Sequence, residues 1–367
     1  MKILHIAKRY PNSLGGDAVV VRQLVKHQRM QGNDVYILTT NCKDIMDEPR
    51  LTKVGLPISS LAIDKINFRR IVTLAWMIPW SFWYLRKIKP EIIHSHTMDF
   101  GYGISFAARF YHIPMVNTCH GVSFVNPKIP LLKRRLELFF LKHAGYKITL
   151  TVDKNSLSGF ATQNVKNVRF IPNAVDIERF HVAKPYTGGR FEIFFVGRIE
   201  RAKGIGIMLD AVAKVKETNW RLRLVSPGND MELYKKQAQK NGISAKVEFL
   251  GRVMPLKNAE LHTESHIFLF PSLHEGFPIA LLEAWAAGLP VIITKVGTVT
   301  TVCEDGVNAL LIAPGSVDQM VAALERLMSD KNLRERLAKN GRALVEKMYT
   351  YEILTAQIME IYKAATA

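Results

Sequence analysis

Residues 267 to 297, IFLFPSLHEGFPIALLEAWAAGLPVIITKVG, constrain the fold more than any other stretch. Ile267 to Phe270 form an apolar run of strand length, and Pro271 and Ser272 end it before a turn carrying Glu275, Gly276, Phe277 and Pro278. Pro278 suits a first helical position, Ala280 to Ala287 are good helix formers, and Gly288 with Pro290 stops the helix before a strand from Val291 to Thr294. The unit is strand, loop, helix, strand. In open α/β folds the free N–H groups at such a helix start face the carboxyl edge of the sheet, where anionic ligands sit. Glu275 lies at that mouth, and Glu283, about two turns along, can address a second part of a ligand lying along the helix.

A carboxylate near a helix N-terminus also complements the helix dipole without any ligand, and Ala-rich helices after Gly-Pro turns are common. The full string, however, resembles the segment of retaining nucleotide-sugar glycosyltransferases of family 4 in which two glutamates flank an EGFG-like turn. The resemblance implies a GT-B fold, α/β, with two Rossmann-like domains facing a central cleft and the donor nucleotide held mainly by the C-terminal one.

The chain has 367 residues, room for two domains, and its 48% hydrophobic and 22% charged residues are ordinary globular composition. Cys42, Cys119 and Cys303 are odd in number, far apart and outside any CxxC spacing, so neither a disulfide framework nor a zinc site is indicated and a reducing cytoplasm fits. MKILHIAKRYPN is too short in apolar residues for a signal-peptide core and reads as a first buried strand. The net charge of +18 is unevenly spread: 27 Lys plus Arg stand against 12 Asp plus Glu through Thr187, and 23 against 20 after it. A basic first half points to a polyanion, and with no nucleic-acid motif present an anionic membrane surface is the expected partner.

Lys2 to Ala7 predicts a strand, and a loop through Gly15 and Gly16 leads into a helix. A glycine pair there lets backbone approach a phosphate, and equally serves a tight turn. In the resembled family a glycine-rich loop at this place faces the donor. Residues 68 to 89 hold fifteen uncharged residues in a row with three Trp, bracketed by Arg69, Arg70, Arg86, Lys87 and Lys89. That is too short to span a bilayer and Pro79 is expected to interrupt the helix, whereas Trp and Tyr beside basic residues suit a membrane interface. A core helix with basic ends is the alternative, and Lys133, Arg134 and Arg135 form a second basic cluster.

Glu91 to His94 and Met115 to Thr118 predict strands. His94 and His96 alternate as strand residues, but no third metal ligand is spaced nearby, so hydrogen-bonded structural histidines are the default and no metal is expected. His120, followed by Gly121, looks like the family's histidine that contacts the donor sugar or the developing charge, a role suited to a positioned hydrogen-bonding ring. Pro172 to Asp176, PNAVD, resembles the family's PNGVD segment and reads as a turn closing the first domain. A linker is expected where Pro185, Gly188 and Gly189 cluster.

In the second half, Phe191 to Val196 predicts a strand, followed by GRIERAKG and a helix. Arg198 offers a planar fork of donors and Lys203 a point charge, a pairing suited to a diphosphate that gains charge as its bond to sugar breaks, although two solvated surface cations give the same letters. The segment resembles the family's GRLxxEKG motif, whose Arg and Lys bind the donor diphosphate, with Ala202 in place of Glu. SPGND after the next strand departs from the family's GDGP, and Val253 falls where the family borders the nucleobase. VGTVTTVCEDGVNALLI resembles VGGxxEvvxdGxnGlLv, with Thr298, Thr301 and Ala309 departing from Gly, Glu and Gly.

The resemblance therefore implies transfer of a sugar from a UDP- or GDP-linked donor to a hydroxyl acceptor, with retention, no metal and no cofactor. The acceptor expected is a glycan or lipid-linked group at the inner face of the membrane, with the enzyme peripheral and cytoplasmic. The expected domains are 1–183, basic and acceptor-binding, 184–346, nucleotide-sugar-binding, and 347–367, a helix packing back on the first. His120, Glu275, Arg198 and Lys203 are the expected catalytic residues. Gly15, Gly16, Val253, Gly276, Phe277, Pro278, Ile279 and Glu283 complete the donor site. A hydrolase or epimerase on the same fold, separable by the fate of the sugar, is one rival; a membrane-bound partner without catalysis, separable by nucleotide-diphosphate thermal shift, is another.

Overall fold

The computed structural model describes residues 1–8, 10, 16–42, 48–58, 68–124, 129–225, 228 and 230–367. It divides into two compact units, residues 1–173 with 351–367 and residues 174–350.

The first unit carries β1 (Lys2–Ile6), β2 (Asp34–Cys42), β3 (Leu51–Ile58), β4 (Ile92–Ser95), β5 (Met115–Cys119), β6 (Ile148–Thr151) and β7 (Val168–Phe170). They pair in parallel in the order β3-β2-β1-β4-β5-β6-β7. Helices α1 (Gly16–Met30), α2 (Phe68–Ile88), α3 (Met98–Phe110), α4 (Leu131–His143) and α5 (Ser156–Thr162) lie between the strands in sequence. Alternation sets the two faces of the sheet. Leu4, Ile6 and Ile93 join a core cluster with Met77, Tyr84 and Leu85 of α2 and Ile104 and Ala107 of α3. His5 and His94, in register with each other, point to the opposite face.

Helix α2 runs unbroken through Pro79, contrary to the interruption expected from sequence. Proline frees the carbonyl four residues earlier, here that of Ala75; Ala75 and Pro79 are both exposed, so water can satisfy that carbonyl. One face of α2 buries Met77, Ser81, Tyr84 and Leu85, while Trp76 and Trp83, each 58% exposed, stand on the other. The core-helix and interfacial readings thus describe opposite faces of one helix.

The second unit carries β8 (Phe191–Val196), β9 (Trp220–Val225), β10 (Val247–Gly251), β11 (Ile267–Phe270), β12 (Val291–Thr294) and β13 (Leu310–Ile312), parallel in the order β10-β9-β8-β11-β12-β13. Its helices are α6 (Ile205–Val212), α7 (Met231–Lys240), α8 (Pro255–Thr263), α9 (Ile279–Ala286), α10 (Val299–Val302), α11 (Val317–Ser329) and α12 (Lys331–Met348). Asp330 separates α11 from α12, and its side chain accepts from the Leu333 N–H to cap the second. Trp285 of α9 is fully buried and donates to the Asn308 carbonyl at 3.0 Å.

The unit boundaries differ from those expected. Val175 and Phe180 belong to the second core, the Val175 N–H donates to the Tyr349 carbonyl, and the Ala183 N–H donates to the Ala287 carbonyl. The segment with Pro185, Gly188 and Gly189 is a turn held to β8 by the Tyr186 ring, stacked on Phe191 at 3.7 Å, so it is no linker. The last helix, α13 (Tyr351–Thr366), belongs to the first unit, where it packs on α1 and buries Leu354, Ile358 and Tyr362.

Candidate functional site

In the second unit the expected strand, loop and helix form: β11 ends at Phe270 and α9 begins at Ile279. Pro278 takes the N-cap, with an extended backbone, rather than the first helical position expected. Two glycines let neighbouring loops press against residues 271–276. Gly204 has φ +69°, and a Cβ there would lie 2.1 Å from the Pro271 carbonyl oxygen. Gly297 has φ +55°, and its Cβ would lie 1.7 Å from the Glu275 carbonyl oxygen. Neither close approach leaves room for a side chain. Hydrogen bonds finish the join: the Leu273 N–H donates to the Ala202 carbonyl at 2.7 Å and the Thr298 N–H to the Gly276 carbonyl at 3.0 Å.

The result seats the Lys203 ammonium against the Glu275 carboxylate, which also accepts from the Ser272 hydroxyl. Both charged side chains are mostly buried. Lys203 also lies 5.5 Å from the centre of the Phe270 ring, on the ring face, so it rests between an anion and a π-face. Arg198 is not drawn into this group. Its side chain is 74% exposed and pairs with Glu200 at 2.9 Å. Phe277 is buried against Tyr349, ring centres 5.3 Å apart, and Pro278 is buried and lacks an N–H, so neither offers the ligand a polar side chain. Ile279 opens α9, whose first turn has N–H groups without partners inside the helix. Val253 packs at the margin of the core.

Glu283 lies farther along α9. Burial pushes its carboxyl up to about 7, opposed by the charge of Arg179 and by the Asn258 side-chain N–H, which donates to Oε2 at 3.4 Å. Sequence reasoning missed Asn258 and Arg179. Asn258 falls one turn into α8 after Pro255, a placement visible in the sequence only once α8 is known to lie beside α9.

In the first unit His120 follows β5, as expected, and Gly16 begins α1; Gly15 and Ser226, Pro227 and Asn229 of the SPGND segment lie outside the described residues. His94 and His96 do acquire a third histidine, contrary to the sequence expectation. The register of β1 with β4 places His5 beside His94, and His5 Nδ1 meets His96 Nε2 at 3.0 Å. The nitrogens of His5, His94 and His96 come within 4.8 Å of one another. His96 Nδ1 meets His120 Nε2 at 3.1 Å. Beyond the rings, His5 Nε2 lies 2.7 Å from the Gln28 side-chain oxygen of α1, and His94 Nδ1 lies 2.6 Å from the Tyr362 hydroxyl of α13. Burial lowers His5 to about 4 and takes His94 and His96 well below the usual histidine range, so these rings are neutral near pH 7.

Two family models match the chain: Glycosyltransferase Family 4 over residues 14–179 and Glycosyl transferases group 1 over residues 176–344. The chain is 23% identical to a glycogen synthase of Mycobacterium tuberculosis, over 100% of this chain and 95% of that one. It is 28% identical to an Escherichia coli UDP-Gal:alpha-D-GlcNAc-diphosphoundecaprenol alpha-1,3-galactosyltransferase, over 76% of each. The solved structure of Anabaena HepE in complex with UDP and glucose superposes with a TM-score of 0.81 at 17% identity, covering 99% of this chain and 100% of that one. Two parallel Rossmann-like sheets, a Lys203 and Glu275 pair at the head of α9, and matches spanning both units place the chain among the group 1, family 4 glycosyltransferases of the GT-B fold.

Proposed function

We propose that the protein transfers a sugar from a UDP- or GDP-linked donor to a hydroxyl of a glycan or lipid-linked acceptor, with retention at the anomeric carbon and no required metal ion. The observation that carries this reading is the mostly buried Lys203 and Glu275 pair, built by two glycine-dependent loop contacts at the N-terminus of α9. A diphosphate brought to Lys203 exchanges one anion for another, and the helix start adds oriented N–H dipoles. Arg198, on its exposed loop, is assigned to the same diphosphate. Glu275 then becomes available to donor sugar hydroxyls, Glu283 accepts from the ribose, and the backbone at Val253 borders the base. Gly276 and Ile279 frame the phosphate end, and Phe277 and Pro278 act through the loop conformation they fix. In the first unit Gly16 opens a helix suited to a phosphate, and His120 is assigned to the transferred sugar.

Retention without a protein nucleophile is chemically complete if the acceptor hydroxyl attacks on the face that the diphosphate leaves. The acceptor oxygen forms the new bond to the anomeric carbon, the bond to the diphosphate oxygen breaks, and a donor phosphate oxygen takes the acceptor proton. The protein then orients the partners and stabilises charge, work that cationic side chains and helix dipoles can do. The galactosyltransferase relative acts on a diphosphoundecaprenol-linked sugar, which supports a lipid-linked acceptor here. Among the described residues no helix is long and apolar enough to cross a membrane. The exposed Trp76 and Trp83 beside Arg86 and Lys87, with exposed Leu131 and Leu132 beside Lys133, support attachment to an anionic membrane surface.

Lys203→Ala is expected to lower sugar transfer by about 100-fold or more with the fold intact, the scale for removing one charge-stabilising donor. The measurement is donor turnover across a panel of nucleotide sugars, with acceptor-free hydrolysis as a second readout; near-normal turnover would refute the assignment.

A further inference from the structure

The amino ends of β11 and β12 border a cavity of about 460 Å³ within the second unit. Its lining comes from the turn Val182 to Tyr186, from His266 just before β11, from Gly288 to Pro290 just before β12, and from α12. The Lys203 and Glu275 pair stands beyond the carboxyl end of β11, a strand of four residues that spans roughly 13 Å at about 3.3 Å per residue. The cavity therefore lies at the other end of that strand, and it shares no lining residue with the donor site. Its volume falls in the range of small-molecule sites, roughly 300–1,000 Å³.

Apolar surface forms much of the wall: Leu289 and Pro290 are buried, and Pro185 and Ala338 continue it. Two side chains bring donors that have no partner. The Glu192 backbone N–H donates to His266 Nδ1 at 3.0 Å. A nitrogen that accepts from a backbone N–H carries no proton, and burial favours the neutral ring, so the His266 proton is on Nε2. That Nε2–H has no partner among the described residues. Arg334 is 8% exposed. Its Nη1 donates to the Leu327 and Met328 carbonyls in the last turn of α11. Its Nε–H and Nη2–H groups have no partner among the described residues, none of whose carboxylates lies within ion-pairing distance of it. That edge of a guanidinium is one that takes an oxyanion through two parallel hydrogen bonds. The two side chains flank one pair of rings: Arg334 lies 5.4 Å from the centres of Tyr186 and Phe191, and the His266 ring stands edge-on to both at 5.3 and 6.3 Å.

The charges around the cavity do not balance. Its two carboxylates already have cations, Glu335 facing Lys331 at 3.7 Å and Glu346 facing Arg342 at 2.9 Å. Lys184 and Lys339, both exposed, have no carboxylate partner among the described residues. With Arg334 they leave three cations unmatched beside an apolar wall.

We propose that this cavity is a second ligand site, for a phosphate monoester with an apolar body: the phosphate oxygens accept from Arg334 and His266, Lys184 and Lys339 stand at the rim, and the body lies on Leu289, Pro290 and Ala338. A phosphate monoester brings three acceptor oxygens and a charge of about −1.5 to −2 at pH 7, which matches three cations and a neutral donor better than the single charge of a carboxylate. The proposal rests on no part of the reaction assigned to the donor site.

The test is an NMR titration, at pH 7.5, of full-length protein labelled at its alanine and leucine methyl groups. The probes are phenyl phosphate, benzoate, glycerol 3-phosphate and inorganic phosphate. Phenyl phosphate is expected to bind saturably, to shift the methyl signals of Leu289 and Ala338, and to bind at least about tenfold more tightly than each of the other three, since only it joins a phosphate to a ring that can be buried. Arg334→Lys keeps the charge and loses the fork, and is expected to weaken phenyl phosphate by about tenfold or more. Because Arg334 also holds the end of α11, its unfolding midpoint is measured alongside, and two further variants decide the matter if it does not fold. Lys339→Glu, at the exposed rim, is expected to weaken binding several-fold, and by less at high salt. Ala338→Trp fills the cavity and is expected to abolish the Leu289 shift, whereas Lys203→Ala is expected to leave the affinity unchanged. No saturable binding, equal affinity for inorganic phosphate, or undiminished binding in Ala338→Trp overturns the proposal. So does binding that is lost in Lys203→Ala, which would assign the anion to the donor site.

Discussion

At the residue scale, Glu283 carries a carboxyl whose burial raises its proton affinity at a cost in stability. Its carboxyl binds a proton up to about pH 7 in the folded protein, against an ordinary value of 4.5. Between those values the folded state holds more protons than the unfolded one, so stability declines as pH rises and levels off above about 7. Glu283→Gln keeps the acceptor facing Asn258 and carries no charge. Relative to wild type it is expected to be more stable at pH 8 than at pH 5, by up to about 3 kcal/mol, measured by chemical denaturation at the two pH values. The same variant should bind nucleoside diphosphate less tightly at pH 8, because a neutral amide replaces the carboxylate assigned to the ribose. Gain of stability with loss of affinity separates a ligand-facing carboxylate from a misplaced one.

At the scale of elements, α2 unites two properties that sequence reading set against each other. Its inner face packs on β3 and α3, and its outer face presents Trp76 and Trp83. Lys87 sits 5.2 Å from the Trp83 ring, so the aromatic and the cation form one amphipathic surface. Trp76→Ala with Trp83→Ala should leave the thermal unfolding midpoint nearly unchanged, since both side chains are largely in solvent, and should reduce cosedimentation with anionic liposomes at low salt. Unchanged cosedimentation would remove α2 from the membrane surface. The loops around β11 show the opposite dependence: Gly204 and Gly297 set what Lys203 and Glu275 can reach, and their left-handed backbones admit no alternative residue without strain.

At the scale of the whole molecule, the order of the chain and the membership of the units part company at the end. The chain leaves the second unit after Thr350 and completes the first with α13, whose Tyr362 hydroxyl meets His94 Nδ1 at 2.6 Å and whose Leu354 and Ile358 are buried. Truncation after Thr350 is expected to raise amide hydrogen exchange in β1, β4 and β5 while leaving β8, β11 and β12 protected. Equal loosening of both sheets would contradict the division into units. The buried residues of the second sheet, among them Ile193, Phe194, Phe195 and Ile267 to Phe270, belong to a core cluster drawn from residues 175–349.

The sequence by itself determined the class of fold and located the strand, loop and helix that carry Glu275 and Glu283. Apolar runs of strand length alternating with helical segments specify parallel α/β units, and Glu275 and Lys203 stood out because each falls between a strand end and a helix start that local patterning marks. Tertiary structure alone decided which groups meet. Arg198 and Lys203 look equivalent as letters, yet only Lys203 is carried inward, because Gly204 permits its turn to press on Pro271. The linker-like Pro185 and Gly188 are folded into the second unit by Tyr186 on Phe191. His5 is 91 residues from His96 and becomes its partner because β1 pairs with β4. Such contacts depend on strand order and register, which are set by the packing of the whole sheet and leave no local periodicity to read.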